Sequence, residues 1–296
     1  MRNPLKYSIV GLTAMLAFSC GIATAQNKQP AKQNATQPEK QQGPFLQYGG
    51  GQEIKDEGPG GPAPVRDFNG TWKGAMEAKL TNKIPPMTPA GQAALKLNIP
   101  DPFSASSNDP WKVCDPFGMP RSVNNQNGQL GFATMPDRII ILESFAKAWR
   151  EIWTDGRELP KNVGHKGGPS TMWFGYSVGH WEGDTTLVVD TIGMDERTWV
   201  DRRGYPHSTD AHVIERYTRV DHNHLKVTET LDDPTYYSKP FEIAETDYQW
   251  LKGQDDPKVA IPFSAENICV SSEALDYLKL MADPADEDSA VGNKKK

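Results

Sequence analysis

The chain is broken at close intervals by short polar turns, and that spacing limits what it can fold into. Residues 176–181 and 185–191 are β-branched and aromatic runs separated by Glu182-Gly183-Asp184. Residues 129–134 and 138–145 flank Pro136-Asp137, residues 148–154 end at Asp155-Gly156, and residues 211–220 and 225–231 flank Asp221-His222-Asn223. A run at 71–79 follows Asn69-Gly70, and residues 241–251 close the series. Connections this short join antiparallel neighbours, so about nine strands in succession predict an all-β domain, an antiparallel up-and-down barrel or a strongly curved sheet. Gly70-Thr71-Trp72 resembles the Gly-x-Trp that opens lipocalin-like barrels, where the Trp plugs one end. Helix is scarce. Thr88 and Pro89 supply a cap and a first turn for a helix over 88–97. Ser272 can cap another over 273–281, with Ala274, Tyr277, Leu278 and Met281 at helical spacing. The proline-bearing stretch 98–125 reads as a strap across the barrel.

The ends differ in kind from this middle. Arg2 and Lys6 precede an apolar run (Ile9, Val10, Leu12, Met15, Leu16), and Ala23-Thr24-Ala25 offers a small-x-small cleavage site. Residues 1–25 are therefore expected to be a signal peptide cleaved after Ala25, which exports the chain to the periplasm or the extracellular medium. Cleavage before Cys20, as in a lipoprotein, fits less well because Phe18 is bulky. The apolar run is too short to span a bilayer, and no later run is longer, so no transmembrane segment is expected. Residues 26–64 are rich in Gln, Pro and Gly and read as a disordered tether; residues 283–296 read as a charged, fraying tail. A single domain over 65–282 is expected between them. The formal net charge of −6 argues against capture of nucleic acid or an anionic membrane surface. With Cys20 removed in the signal, Cys114 and Cys269 remain. In an oxidising compartment the pair is expected to form a disulfide, the alternative being two separate buried thiols.

Titratable and aromatic residues crowd the middle of the chain. His180, His207 and His212 are the candidate acid–base groups, with Asp190 and Asp201 as carboxylate partners. His207 and His212 do not have zinc-motif spacing, and no metal or other cofactor is expected. On the strand at 211–219, His212, Ile214, Arg216 and Thr218 share one face, and Val213, Glu215, Tyr217 and Arg219 share the other. Neither face is purely apolar, so one of them lines a polar cavity or forms an exterior charge ladder. Arg150, Trp153, Trp199, Ser208, Glu215 and Arg216 are the candidate binding residues. Ser177 lies in Gly175-x-Ser177-x-Gly179, but in a hairpin with no helix after it, which removes the elbow geometry of a serine hydrolase.

Several of these runs resemble a family of secreted, β-rich bacterial proteins without an assigned reaction. They are Cys114-Asp115-Pro116 with Gly118, Pro120 and Arg121; Trp149-Arg150-Glu151-Ile152-Trp153 with Asp155-Gly156-Arg157; Gly179-His180-Trp181-Glu182-Gly183-Asp184; Leu187-Val188-Val189-Asp190-Thr191; and His212-Val213 with Glu215-Arg216-Tyr217. The likeness covers roughly residues 110 to 250. It departs at Lys161 to Ser170, a variable loop, and at Tyr205, where the family pattern suggests a histidine-like residue. The resemblance implies export and a β-rich fold, and no chemistry. The residues themselves lead first to a barrel that binds a small organic ligand, aromatic, sugar-like or anionic. The other readings are a cofactor-independent lyase, isomerase or hydratase working through His and Asp, and a cell-envelope interaction protein. The oligomeric state is left open.

Overall fold

The computed structural model describes residues 58–74, 78–100, 106–124, 129–143 and 148–251, all within one unit of the chain. The expected signal peptide, most of the expected tether, the helix expected over 273–281, Cys269 and the expected tail lie outside the described residues. Ten strands follow in order: β1 (Gly70–Gly74), β2 (Lys79–Leu80), β3 (Gln129–Thr134), β4 (Arg138–Glu143), β5 (Ala148–Trp153), β6 (Tyr176–Glu182), β7 (Thr186–Ile192), β8 (His212–Arg219), β9 (His224–Asp232) and β10 (Phe241–Trp250). All but β2 form a closed ring, because β1 pairs with both β3 and β10; β2 adds two residues beside β10.

The ring is mixed. Every neighbouring pair is antiparallel except β5 and β6, which run parallel. This corrects the expectation of a wholly antiparallel barrel, and the reason is parity. Nine strands cannot alternate in direction around a closed ring, so one pair must run the same way. A parallel neighbour needs a long crossover, and residues 154–175 supply it.

Alternate residues point inward, as in any barrel. Phe132, Ile139, Ile141, Ile152, Leu187, Val189, Val213, Tyr217, Leu225, Val227 and Leu231 form the core. Trp72 is fully buried, and its indole donates to the Phe68 carbonyl at 2.9 Å. The Arg219 guanidinium lies 4.9 Å from the Trp72 ring and 5.1 Å from Trp250, and it donates to the carbonyls of Asp67 and His222. These groups close one end of the barrel.

The connection from β7 to β8 lies at the end away from Arg219, and the strap packs against it. A 3₁₀ turn (Pro110–Val113) leads to α2 (Arg121–Asn124), whose four residues are all buried. Asn124 donates to the Val200 carbonyl at 3.0 Å, and the Tyr248 hydroxyl donates to the Val123 carbonyl at 2.8 Å. Arg121 forms a buried bidentate pair with Asp109, both bonds at 2.8 Å. Gly118 has a φ of +64°, and a Cβ there would lie 2.5 Å from the Trp173 carbonyl, so only glycine fits this approach. The other helix, α1 (Pro89–Leu95), has the anticipated start: Thr88 accepts from the Gly91 amide. Residues 58–61, assigned to the tether on composition, are bonded to the β8–β9 turn: the Gly58 carbonyl accepts from the Asn223 side chain at 2.7 Å, and those of Pro59 and Gly61 accept from Asn223 and His222 backbone amides.

Candidate functional site

The parallel pair leaves a seam in the wall. β5 and β6 meet at one register position, Trp153 opposite Val178. Away from it the strands diverge, and a cleft of about 520 Å³ opens between them. Trp149, Glu151 and Trp153 of β5 form one wall, Met172, Trp173, Phe174 and Tyr176 the other, and Arg150 and Ser177 the floor. Trp149 is 66 % exposed, and Met172 and Leu142 are exposed as well. Leu142 is the cross-strand neighbour of Trp149. Cations frame the aromatic walls: Arg138 and Arg157 lie 3.8 and 3.4 Å from the Trp153 ring centroid, and Arg197 lies 4.3 Å from that of Trp173. Each of these arginines is paired with a neighbouring carboxylate, Asp137, Asp155 and Asp195 respectively, so the cleft carries little unpaired charge.

Beneath the floor the barrel interior is polar. Arg150 faces inward from β5 and Glu215 from β8. The guanidinium donates to both Glu215 oxygens, with the Nη1–Oε1 bond at 2.8 Å, and also to the hydroxyls of Ser177 and Thr191. The Tyr217 hydroxyl donates to Glu215 at 2.7 Å. Glu229 stands directly opposite Glu215 on β9. It is buried, and the Asn124 side chain and the Arg150 charge only partly offset its loss of solvent. Burial, reinforced by the Glu215 charge, holds its pKa well above the usual carboxylate range. Burial likewise pushes the Glu143 carboxyl up to about 7, with Glu215 adding to the rise and Ser122 and Arg150 opposing it. The interior therefore keeps one full ion pair, Arg150 with Glu215, while Glu143 and Glu229 favour the neutral form.

The residues singled out from the sequence occupy three environments and do not converge on one rim. His180 and Arg216 are on the outer face, each beside Glu182. His212 bonds Asp190 at 2.8 Å on the same face, both about one-third exposed. Asp201, Trp199, His207 and Ser208 are buried in the β7–β8 connection. There Arg203 clasps Asp201, the Arg121 guanidinium lies 5.3 Å from Trp199, and Asp233 accepts from both the amide and the hydroxyl of Ser208. His207 Nε2 lies 2.6 Å from the Thr198 hydroxyl, and burial lowers its pKa below the ordinary value of 6.5. Arg150, Trp153 and Glu215 are in the third environment, the seam and the core beneath it. On β8 the mixed face with Glu215 is the inward one.

Sequence reasoning passed over Glu143 and Glu229. The available signal was a lone glutamate in register with an apolar face: Ile139, Ile141, Glu143 on β4 and Leu225, Val227, Glu229, Leu231 on β9. Trp149 is legible in the sequence only at the head of the Trp149–Trp153 run, and nothing in the sequence marks Trp173. Among the described residues no group of three or more His, Cys, Asp or Glu side chains is placed to hold a metal, and no helix is long and apolar enough to cross a membrane. Compared with known protein families and with curated proteins, the chain matches none.

Proposed function

We propose that this chain is a binding protein whose site is the cleft between β5 and β6, and that it takes an organic ligand by stacking against aromatic side chains. The observation that carries this reading is the exposure of Trp149, two-thirds open to solvent in a cleft that also offers Trp153, Trp173, Phe174 and Tyr176. An exposed tryptophan among half-buried aromatics beside a concave wall is a common arrangement in binding sites. The barrel axis is filled by Trp72, Phe132 and Tyr217, which directs the ligand to the wall. An acid–base enzyme needs its groups to meet at a common point. The His212–Asp190 pair instead lies on the outer sheet face, and that favours binding over catalysis.

The test is native mass spectrometry of protein purified from its own envelope fraction, followed by titration of the ligand found. Trp149→Ala is expected to weaken binding at least tenfold while changing stability by less than about 1 kcal/mol, since the side chain is largely exposed. Unchanged affinity in this variant would remove the cleft as the site.

The same reading places the protein outside the cytoplasm, with Gln26 as its mature N-terminus and Cys114 bonded to Cys269. Such a bond closes a long loop and stabilises by about 2–5 kcal/mol. Thiol titration of the denatured, unreduced mature protein is expected to find no free thiol; two free thiols would refute the pairing.

A further inference from the structure

We propose that the ligand of the seam is an extended peptide, added as a strand along the open edge of β5. The inference rests on the reading of the cleft as the binding site, and it names the ligand class.

The argument begins with the direction of backbone groups. Thr154 donates its amide to the Asp137 carbonyl at 2.9 Å, so these two residues form a hydrogen-bonded antiparallel pair. Such pairs recur at every second residue. In the β4–β5 register, Ile139–Ile152, Ile141–Arg150 and Glu143–Ala148 are then the bonded pairs. It follows that the N–H and C=O groups of Trp149, Glu151 and Trp153 point the other way, toward β6. Trp153 meets Val178 there. Trp149 and Glu151 have no strand partner on that side among the described residues, and no backbone bond joins either to residues 171–175. Two donors and two acceptors therefore face the cleft at a spacing of roughly 6.6 Å, two strand residues. An unpaired edge of this kind is a template for another strand, and a peptide backbone supplies donors and acceptors at the matching repeat.

The surroundings define which peptide fits. A strand beside β5 turns alternate side chains outward and inward. Outward, a side chain next to Trp149 meets the apolar surface of Trp149, Leu142 and Met172, which suits an aromatic or β-branched residue. Inward, the floor is closed: Arg150 and Ser177 are buried and bonded to each other. Only a small residue fits there. The nearby arginines already have carboxylate partners, so the peptide need carry no charge at this point. The occupant is thus an extended segment alternating large and small side chains, running antiparallel to β5. Because β5 and β6 are parallel, a strand antiparallel to β5 is also antiparallel to β6, and its entry would restore strict alternation around the ring.

The probe is a blocked seven-residue peptide alternating alanine with phenylalanine and threonine, titrated against the full mature chain by tryptophan fluorescence and amide NMR. Binding is expected to shift and protect the Trp149 and Glu151 amides. N-methylation of the peptide amides that face β5 is expected to weaken binding at least tenfold with side chains unchanged. Glu151→Pro removes one seam-facing N–H and leaves the β4 ladder intact, and it is expected to weaken binding to a similar extent. Equal binding of the N-methylated peptide overturns strand addition while leaving the cleft as the site. Binding of indole or a pyranoside in the cleft, with no binding of any peptide, has the same consequence. If neither peptide nor ring compound binds, and Trp149→Ala changes nothing, the cleft reading falls with it. Concentration-dependent dimerisation abolished by Glu151→Pro would assign the edge to a second copy and overturn the peptide.

Discussion

Arg150→Ala is expected to cost roughly 3–5 kcal/mol, a large share of the stability of an ordinary domain. The loss is larger than that of the contacts removed. Glu215 is completely buried, and Arg150 is the cation that compensates it. With the guanidinium gone, a carboxylate is left in the core beside two glutamates that already resist ionisation. The Ser177 and Thr191 hydroxyls lose their common partner as well. The triple variant Arg150→Met, Glu215→Leu, Tyr217→Phe removes the charges and the dependent hydroxyl together, and it is expected to recover most of the loss, because apolar residues of similar volume replace buried ion pairs well. Urea denaturation of the three proteins measures this. A cost below about 1 kcal/mol for Arg150→Ala would show that the pair is not the support of the core.

The contribution of Glu143 to stability is also expected to fall as pH rises from about 4.5 to about 7. Its folded pKa is raised from 4.5 to about 7. Across that interval the folded chain keeps a proton that the unfolded chain has released, so raising the pH favours unfolding. The full effect, present above pH 7, is about 3 kcal/mol. Glu229 acts in the same direction through its own raised pKa. His207 acts in the opposite one: its folded pKa is lowered, so the unfolded chain takes up the proton first as pH falls through 6.5 and below, and stability declines there. Glu143→Gln isolates the first contribution, since His207 and Glu229 are common to both proteins. The variant should match the parent near pH 4.5 and exceed it by about 3 kcal/mol at pH 8, read from urea midpoints at each pH. A difference independent of pH would mean that Glu143 titrates normally.

The fold was legible because most of its information is local. Glu182-Gly183-Asp184 and Asp221-His222-Asn223 turn the chain, the flanking runs alternate, and the observed strands begin and end within a few residues of those runs. The parallel joint was not legible, because it follows from counting strands around a closed ring rather than from any residue. Composition also hid the packing of residues 58–61. These are glycine and proline, with nothing apolar to bury, and what fixes them is the Asn223 side chain and backbone far along the chain. For the candidate site, alternation along β8 separated Glu215 from Arg216, and the structure turns the Glu215 face inward. Alternation could not say which strand lies across the barrel. That is why the sequence sets Arg150 and Glu215 near one site without showing that they pair. The gathering of His180, Asp190, Asp201, His207 and His212 rests on nearness in sequence, yet the strands turn His180, Asp190 and His212 outward while Asp201 and His207 are buried in the connection.

The odd strand count has a further consequence, for the time course of folding. Six joints of the ring, from β3–β4–β5 and from β6 through β10, link strands adjacent in the chain. All but β7–β8, which closes over residues 193–211, can form after closing only a short loop, at small entropic cost. The parallel joint must wait for its crossover, and the β1–β10 joint brings together Trp72 and Trp250 from opposite ends of the barrel sequence. Local contacts favour speed, and distant ones slow it. Two meanders that assemble quickly and a slow docking between them are the kinetic counterpart of this topology, with the burial of Trp72 against Trp250 as the optical signal of the slow step.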